Sequence, residues 1–378
     1  MLESGLTRRQ FLERATGAGV ALAAGALAVS CGGGSSGKGE PATVRWVSPR
    51  GTLLAMDDYH LWVAVELGYF EELAITATLE GGPGRGELER IAGGKSDMGY
   101  PSPGVLTSAI DAGAPVVSIW AQYPGQVFDF TLPQGSPISS VQELAGKTIS
   151  VPTAAWKRVI DPLLVEAGVD PGSVTLVETG AGWNLAVAQG KADAGLAWEG
   201  LRAQLVRQGV KVDFLLGSEF SQGPSNVYAV RRTDLEDDGK RGAYTRFLQG
   251  AVMGLEFARR NPRAAAQITY RQVPGLSELL RPQTALESLL QLAAGYEREE
   301  KRGNGWGFHD PNVWERYLEI VAGLGYVKKP LAAADVLTND FVEPANSRAD
   351  VEKARKEADG FELDKEFAAT TVPEDITI

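Results

Sequence analysis

Apolar strand-like runs alternate with amphipathic helical segments along most of the chain, and one combination of them occurs twice. In the first copy, a glycine-rich turn at 81–84 precedes a helical segment and a Gly-Lys-x-Asp turn at 94–97, after which an apolar strand begins. In the second copy the corresponding turns lie at 180–182 and 190–193. Because both copies lead from a helix through glycine into a strand, they predict two α/β lobes whose loops face one ligand. The alternative interpretation of Gly-Lys-x-Asp is an ordinary turn between a helix and a strand.

The first lobe is predicted from a series of apolar runs and the turns between them. Its strands are expected at 43–47, 75–79, 98–100 and 116–121. Asp57 or Asp58 can cap the helix that ends at Gly68. Ser102 followed by Pro103 is typical of a further helix start, where free N–H groups make an anion site feasible.

The second lobe is predicted between two extended segments that cross from one lobe to the other. The first segment, 127–132, precedes a Pro/Gly-rich break, and the second, 226–230, returns the chain to the first lobe. The strands between them are expected at 148–151, 174–177, 194–197 and 212–216. We therefore predict lobe one at 42–131 and 229–378 and lobe two at 132–228, with a hinge of two strands.

The last third of the chain is predicted to be helical and to serve packing. Amphipathic helices are expected at 241–260, 282–296 and 311–322. Beyond residue 350 the chain is charged and has no clear apolar pattern. These helices are additions to the two lobes.

The N-terminus is interpreted as a targeting signal and not as part of the folded domain. Residues 1–31 read as a twin-arginine lipoprotein signal peptide, with a Thr-Arg-Arg-Gln-Phe-Leu pattern at 7–12 and a short apolar run that ends before Cys31. Cys31 is the expected lipid attachment site, and 32–41 is a flexible Gly/Ser tether. The alternative is that Cys31 is a free buried thiol. We expect an exported monomer that is anchored to the outer face of the cytoplasmic membrane by its N-terminal lipid only.

Composition excludes several classes of function. The chain has 378 residues and a formal net charge of −11, and its Lys and Arg form no basic stripe, so we expect no nucleic-acid partner. Cys31 is the single cysteine, which excludes disulfides within the chain and thiolate metal sites. His60 and His309 are the only histidines, so we expect no metal site. We also expect no cofactor.

Short motifs resemble one known family of binding proteins. They are Glu-Leu-Gly-Tyr-Phe-Glu-Glu at 66–72, Thr-Leu-Glu-Gly-Gly at 78–82, Leu-Ala-Gly-Lys-Thr-Ile at 144–149 and Gly-Lys-Ala-Asp-Ala at 190–194. They are similar to the nitrate/sulfonate/taurine and thiamine-pyrimidine-precursor group of ABC importer substrate-binding proteins. The resemblance covers most of 43–350. It implies an α/β, two-lobed periplasmic-binding-protein fold of the two-crossover type, here with extra C-terminal helices, a small-molecule solute, and an importer permease as partner.

Loop positions at the predicted strand ends select the candidate ligand-binding residues. In lobe one they are Arg50, Thr52, Gly82, Tyr100 and Ser102. In lobe two they are Thr153, Trp156, Trp183, Asn184, Trp198 and Glu199. Each also has a structural interpretation: Arg50 as a solvated loop charge, Ser102 as a helix cap, and any single tryptophan as packing.

The ligand chemistry divides into two alternatives. Arg50 and the helix start at Ser102 can hold an organic anion such as a sulfonate or carboxylate. A planar heterocycle, such as a pyrimidine-type vitamin precursor, can instead stack among the three tryptophans with Asn184 and Glu199 at its edge. Glu199 disfavours a bare anion, so we favour the heterocycle.

Two functions other than transport remain open at this point. A lipid-anchored sensor or adaptor would have the same sequence features. An enzyme of the pyrimidine-synthase type is least expected, because it would need cysteine and histidine chemistry that the sequence lacks. We therefore predict that the protein is not an enzyme.

Overall fold

The structure of the protein is a computed structural model that describes residues 39–50, 52–82, 86–123, 125–300 and 304–373, with the backbone alone at 296–300. The predicted signal peptide, Cys31 and most of the tether lie outside the described residues. Within these ranges no helix has the length and the apolar character that crossing a membrane requires.

The described residues contain the following elements. The strands are β1 (Ala42–Ser48), β2 (Ile75–Gly81), β3 (Met98–Gly99), β4 (Val116–Ala121), β5 (Phe128–Pro133), β6 (Thr148–Val151), β7 (Thr175–Glu178), β8 (Ala194–Trp198), β9 (Val212–Leu215) and β10 (Val227–Arg231). The helices are α1 (Tyr59–Glu66), α2 (Tyr69–Glu72), α3 (Glu87–Ala92), α4 (Pro103–Asp111), α5 (Lys157–Glu166), α6 (Trp183–Ala188), α7 (Leu201–Arg207), α8 (Gly217–Phe220), α9 (Asp238–Arg260), α10 (Pro262–Gln272), α11 (Leu276–Leu279), α12 (Pro282–Glu300), α13 (Pro311–Gly323), α14 (Ala333–Val336), α15 (Val342–Arg348), α16 (Val351–Asp359) and α17 (Lys365–Ala368).

The strands form two sheets with the same internal order. The first sheet has the order β2-β1-β3-β10-β4, and the second has the order β7-β6-β8-β5-β9. The first three strands of each order are parallel, whereas β10 and β5 run antiparallel to both of their neighbours. The chain crosses between the sheets after β4 and again after β9. This topology confirms the predicted two-lobed α/β fold with two crossovers.

The sheet pairing locates the crossovers more closely than the sequence does. All of β5 pairs with β8 and β9, so residues 128–131, which we assigned to lobe one, lie in the second sheet. Val227 and Tyr228, which we assigned to lobe two, lie in the first sheet because β10 pairs with β3 and β4. The sequence shows where apolar runs lie but not which sheet they join. Below, lobe one is the first sheet with its helices, and lobe two is the second sheet with its helices.

The repeated Gly-Lys-x-Asp turn has the same structural role in both lobes. Asp97 Oδ2 accepts a hydrogen bond of 3.0 Å from the backbone N of Arg45 in β1. Asp193 Oδ2 accepts one of 2.8 Å from the backbone N of Thr148 in β6. Each aspartate therefore ties the turn before one parallel strand to the neighbouring parallel strand, which supports the ordinary-turn interpretation of the motif.

Helix α9 forms the centre of the C-terminal packing on lobe one. It lies against α1, α15 and α16. At Gly254 a Cβ atom would lie 2.0 Å from the backbone oxygen of His60, so the close approach of α9 to α1 requires glycine. The predicted helix at 241–260 is present and begins a few residues earlier, at Asp238.

The charged segment from Val351 to Ala368 belongs to the core packing of lobe one. It forms α16 and α17, in which Ala354, Ala358 and Phe367 are buried. The apolar positions are small and far apart, which is why the sequence shows no clear pattern there. They pack because α9 and α10 supply the other half of the interface.

Candidate ligand-binding cleft

A cavity of about 610 Å³ lies between the two lobes. Among the predicted ligand-binding residues, those that line it are Arg50, Tyr100, Ser102, Thr153, Trp156, Trp198 and Glu199. These residues lie at or just beyond the carboxyl ends of β1, β3, β6 and β8, where open α/β sheets bind ligands. The volume is in the usual range for a small-molecule site.

The part of the cavity that lobe one contributes carries an arginine and most of the carboxyl groups of the lining. Arg50 follows β1 and forms ion pairs with Asp58 and, at 3.5 Å, with Asp57. Its guanidinium carbon also lies 5.5 Å from the ring centroid of Tyr100. We call Arg50, Asp57, Glu87 and Tyr100 the polar wall, since all four line the cavity.

Burial changes the protonation of the carboxyl groups near Arg50. It raises the pKa of Asp58 to about 6, although the Arg50 charge opposes the rise. Burial raises the pKa of Glu87 to about 8, again against the Arg50 charge and with Glu89 adding to the rise. Burial alone would lower the pKa of Arg50, but the charges of Asp58 and Asp57 outweigh it and raise that pKa. Arg50 is therefore a charged group with two carboxylate partners, while its buried Nε has no hydrogen-bond partner among the described residues.

The part of the cavity that lobe two contributes is aromatic. The rings of Trp156 and Trp198 are parallel within 4°, with centroids 5.9 Å apart, and Phe128 meets Trp156 edge to face at 6.0 Å. We call Phe128, Trp156 and Trp198 the aromatic wall, since all three line the cavity. A flat ligand between two parallel rings needs a separation of about 7 Å, twice a van der Waals contact. The tryptophans therefore stack on each other and leave no room for a ligand between them.

Trp183 and Asn184 lie behind the aromatic wall instead of in it. Trp183 stacks on Trp198 with centroids 6.0 Å apart and donates from Nε1 to the backbone oxygen of Leu196 at 2.6 Å. Asn184 is buried, and its Oδ1 accepts from Thr131 Oγ1 at 2.7 Å. Neither residue lines the cavity, so both support β8 and Trp198 from the second layer.

Thr52 and Gly82 also lie away from the cavity lining. Thr52 is exposed, and its Oγ1 accepts from the backbone N of Leu54 at 3.1 Å. The N–H of Gly82 donates to the backbone oxygen of Ser48 at 3.0 Å, which extends the pairing of β1 with β2. A Cβ at Gly82 would lie 2.3 Å from that oxygen, so the glycine serves strand packing.

Glu199 belongs to a buried charge cluster under the aromatic wall. Its carboxylate pairs with Arg202, whose Nε lies 3.0 Å from Asp129 Oδ2. The backbone N of Gly217 also donates to Asp129 Oδ1 at 2.9 Å. Burial and the Glu199 charge raise the pKa of Asp129, while Arg202 opposes the rise. Two carboxyl groups share one guanidinium, so this part of the cleft favours a ligand that carries no negative charge.

Helices from both lobes close the two sides of the cavity. On one side Arg158 in α5 donates to Ser108 Oγ in α4 at 2.9 Å, and its guanidinium carbon lies 4.8 Å from the ring centroid of Tyr326. On the other side Ser288 and Gln291 in α12 hydrogen-bond the backbone of Gly200 and Ala203 at 2.9 and 3.0 Å. The structure therefore has the lobes in contact around the cleft.

Among the residues that the structure describes, no cluster of His, Cys, Asp and Glu has the arrangement of a metal site. His60 Nε2 lies 2.8 Å from Tyr228 Oη, and His309 Nε2 lies 2.8 Å from Ser118 Oγ. Burial lowers the pKa of each histidine to about 3. Both rings are therefore neutral core groups of lobe one at physiological pH, and neither lines the cavity.

Sequence reasoning missed several residues of the cavity lining. They are Asp57, Glu87, Tyr123, Phe128, Arg158 and Asn226. The sequence indicates Asp57 only as a possible helix cap, and Phe128 only as part of an extended run. Glu87 and Arg158 lie on helices that meet across the cleft, and no local pattern in the sequence indicates that meeting.

The comparisons with known proteins agree with this architecture. A family model described as NMT1/THI5 like matches residues 57–265. The riboflavin-binding protein RibY of Chloroflexus aurantiacus is 24% identical over 295 residues, which are 74% of this chain and 81% of RibY. The aliphatic sulphonate binding protein SsuA of Escherichia coli has a TM-score of 0.59 at 16% identity, covering 78% of this chain and 92% of SsuA. The desulfurization enzyme DSZB has a TM-score of 0.51 at 14% identity, covering 80% of this chain and 98% of DSZB.

Proposed function

This chain belongs to the NMT1/THI5-like family, and on that premise we propose that it captures a small organic solute between its two lobes and delivers it to an ABC importer. The proposed ligand is a planar, partly aromatic heterocycle, such as a flavin or a pyrimidine-type vitamin precursor. The observation that carries this proposal is the aromatic wall on one side of the cavity, because flat apolar surfaces bind flat rings. RibY, the relative described above, is named for binding such a compound.

The charges around the cavity argue against the alternative ligand, an organic anion. Arg50 is paired with Asp57 and Asp58. Arg158 donates to Ser108 and lies over the Tyr326 ring. A sulfonate at Arg50 would compete with two carboxylates already in place, which costs more than it gains in a partly buried site. The fold shared with SsuA supports the architecture only, since the identity is 16%.

We propose lobe closure as the mechanism. A ligand that stacks on the aromatic wall of lobe two and reaches the polar wall of lobe one makes its full set of contacts only when the lobes meet. The contacts of Arg158 and of α12 across the cleft stabilise that closed form. The closed form is the shape that the importer permease would recognise.

We also propose that the protein works outside the cytoplasm, anchored by a lipid on Cys31, and that it binds its ligand without converting it. DSZB has a similar fold and is an enzyme, so the fold alone does not decide between binding and catalysis. Two measurements address these points. Cys31→Ala should move the protein from the membrane to the soluble fraction, and ligand recovered after prolonged incubation should have an unchanged mass.

The proposed ligand class is tested by thermal melts of the full chain against a panel. The panel pairs planar heterocycles (riboflavin, lumichrome and an aminopyrimidine) with small anions (methanesulfonate, taurine and nitrate). A ligand at one hundred times its Kd should stabilise the native state by about 2.7 kcal/mol and raise the melting temperature. We expect this rise with a heterocycle. A rise with sulfonates alone would reject the heterocycle and restore the anion alternative.

A further inference from the structure

Two polar side chains that line the cavity carry a buried oxygen without a hydrogen-bond partner among the described residues. They are Glu87, through Oε1, and Asn226, through Oδ1. Native proteins satisfy nearly all buried polar atoms, so each such atom needs an explanation. Both residues line the same cavity. A ligand that fills the cavity would supply the missing partners.

The position of Glu87 is set by the turn that begins α3. Gly86 has φ 84°, a left-handed conformation that starts α3 without a side-chain cap, and Glu87 is the first residue of that helix. Its side chain is 4% exposed. Arg50 acts on it electrostatically, but no ion pair joins the two among the described residues. The carboxyl group is therefore buried at the cavity without a neutralising contact.

Asn226 lies on the second connection between the lobes, directly before β10. Its backbone oxygen accepts hydrogen bonds from the backbone N of Gln122 at 3.0 Å and of Tyr123 at 3.2 Å. These bonds fix the residue between the two connections that join the lobes. Its side chain lines the cavity, and its Oδ1 has no hydrogen-bond partner among the described residues.

From this geometry, and resting on the proposed function, we infer that Glu87 and Asn226 are ligand contacts. We also infer that the ligand presents to them a heterocyclic edge on which a ring N–H lies beside a hydrogen-bond acceptor. A carboxamide and a protonated carboxyl group each offer one donor and one acceptor side by side, which matches such an edge.

The protonation of Glu87 supports this class of ligand. Because burial raises its pKa to about 8, the group is mostly neutral at pH 7 and can donate as well as accept. Imides and lactams have the complementary edge, whereas sulfonates and nitrate have acceptors only. The flat face of the same ligand would lie on the aromatic wall.

The test compares riboflavin with 3-methylriboflavin, in which a methyl group replaces the hydrogen of the ring N–H. Isothermal titration at pH 7 measures the affinity of the full wild-type chain for both compounds. We expect riboflavin to bind about tenfold more tightly than the methylated probe, because methylation leaves a buried polar group of the protein without its hydrogen-bond partner. Glu87→Met and Asn226→Leu should each weaken riboflavin binding about tenfold, and at least one of them should reduce the preference for the N–H form. Glu319→Met and Asn312→Leu, at exposed positions of α13, are the matched controls and should change neither value.

A second readout needs no ligand. A buried carboxyl group without a partner costs stability, so Glu87→Met should melt about 2 °C above the wild type when no ligand is present. A drop of several degrees would mean that Glu87 holds the fold and would overturn the inference whether or not riboflavin binds.

The failures of the inference and of the proposed function are distinguishable. If wild-type protein binds riboflavin and both variants bind it equally well, the two residues are merely hydrated and the inference is wrong while the function stands. If wild-type protein binds no heterocycle and binds methanesulfonate, the proposed ligand class is wrong, and the inferred edge is wrong with it.

Discussion

The two lobes have the same strand order but present different chemistry to the cleft. Lobe one contributes the polar wall, with Arg50 and buried carboxyl groups, and lobe two contributes the aromatic wall. The same topology therefore positions two sets of loops, and the residues in those loops decide what each lobe binds. Lobe one would recognise the edge of a ligand, while lobe two would recognise its face.

The buried charges of the lobes differ as well. In lobe one, Arg50 and its two aspartates lie beside the cavity, and the Arg50 side chain is 20% exposed. In lobe two, Arg202 lies 3% exposed between Asp129 and Glu199, beneath the aromatic wall. The lobe-two cluster is therefore expected to matter more for stability than for ligand contact.

The largest expected effect is on the stability of lobe two. Arg202→Met leaves two buried carboxyl groups without their shared cation and should destabilise the protein by about 3–5 kcal/mol. Denaturant unfolding measures this loss. Arg207→Met is the matched control on the same helix, because the Arg207 side chain is 50% exposed and its ion pair with Glu287 should contribute less than about 1 kcal/mol. Equal losses in the two variants would contradict the special role of the buried cluster.

The next effect concerns the aromatic wall. Trp198→Ala removes one of its three rings and should weaken binding of a planar heterocycle about 30-fold, as expected for a buried aromatic anchor worth about 2 kcal/mol. Trp198→Phe keeps a flat apolar surface and should retain most of the affinity. Titration calorimetry measures both. If Trp198→Ala binds as tightly as the wild type, lobe two does not contact the face of the ligand.

A third prediction concerns the loss of stability at acidic pH, which we expect from the buried histidines of lobe one. His60 and His309 both lie in lobe one, and burial lowers the pKa of each from 6.5 to about 3. The stability that a buried neutral histidine contributes is complete above pH 6.5 and is lost as the pH falls from there towards 3. For His309 the loss should reach about 2 kcal/mol between pH 6.5 and pH 5.

The test must isolate the histidine, because carboxyl groups with a raised pKa act in the opposite direction. Glu87 and Asp58, with pKa values of about 8 and 6, make lobe one more stable as the pH falls towards their ordinary values. His309→Gln removes one titrating ring and should flatten the fall in stability below pH 6.5 relative to the wild type. Parallel pH curves for the two proteins would show that His309 is not held neutral by the fold.

The smallest expected effect is at Trp183. This ring supports Trp198 but does not line the cavity, so Trp183→Ala should weaken ligand binding less than about fivefold. A loss as large as that of Trp198→Ala would mean that Trp183 reaches the ligand in the bound form. Calorimetry on the two variants side by side sharpens the distinction between a contact and its support.

The fold was largely predictable because its signals are local. The repeated glycine turns and the apolar runs located β3 and β8, and β4 and β6 were predicted with the bounds that the structure has. The family resemblance drawn from short motifs is also confirmed by the match over 57–265. The packing of α16 and α17 was not predicted, because their apolar positions are recognisable as core only once α9 and α10 are seen to pack against them.

The candidate site was predictable only in part, because its geometry depends on contacts between residues that are far apart in the sequence. The strand-end rule indicated Tyr100, Trp156 and Trp198, all of which line the cavity. It could not show that Arg50 is paired with two aspartates, or that Trp183 lies behind Trp198. Those facts depend on side-chain packing between elements.

The most direct test of the account is a titration of the full chain with riboflavin, followed by tryptophan fluorescence, in the wild type and in Trp198→Ala. Stacking on the aromatic wall predicts saturable quenching in the wild type and a curve shifted to about 30-fold higher concentration in the variant. Methanesulfonate, titrated in the same way, should leave the fluorescence unchanged. Saturable binding of methanesulfonate together with no response to riboflavin would contradict the account.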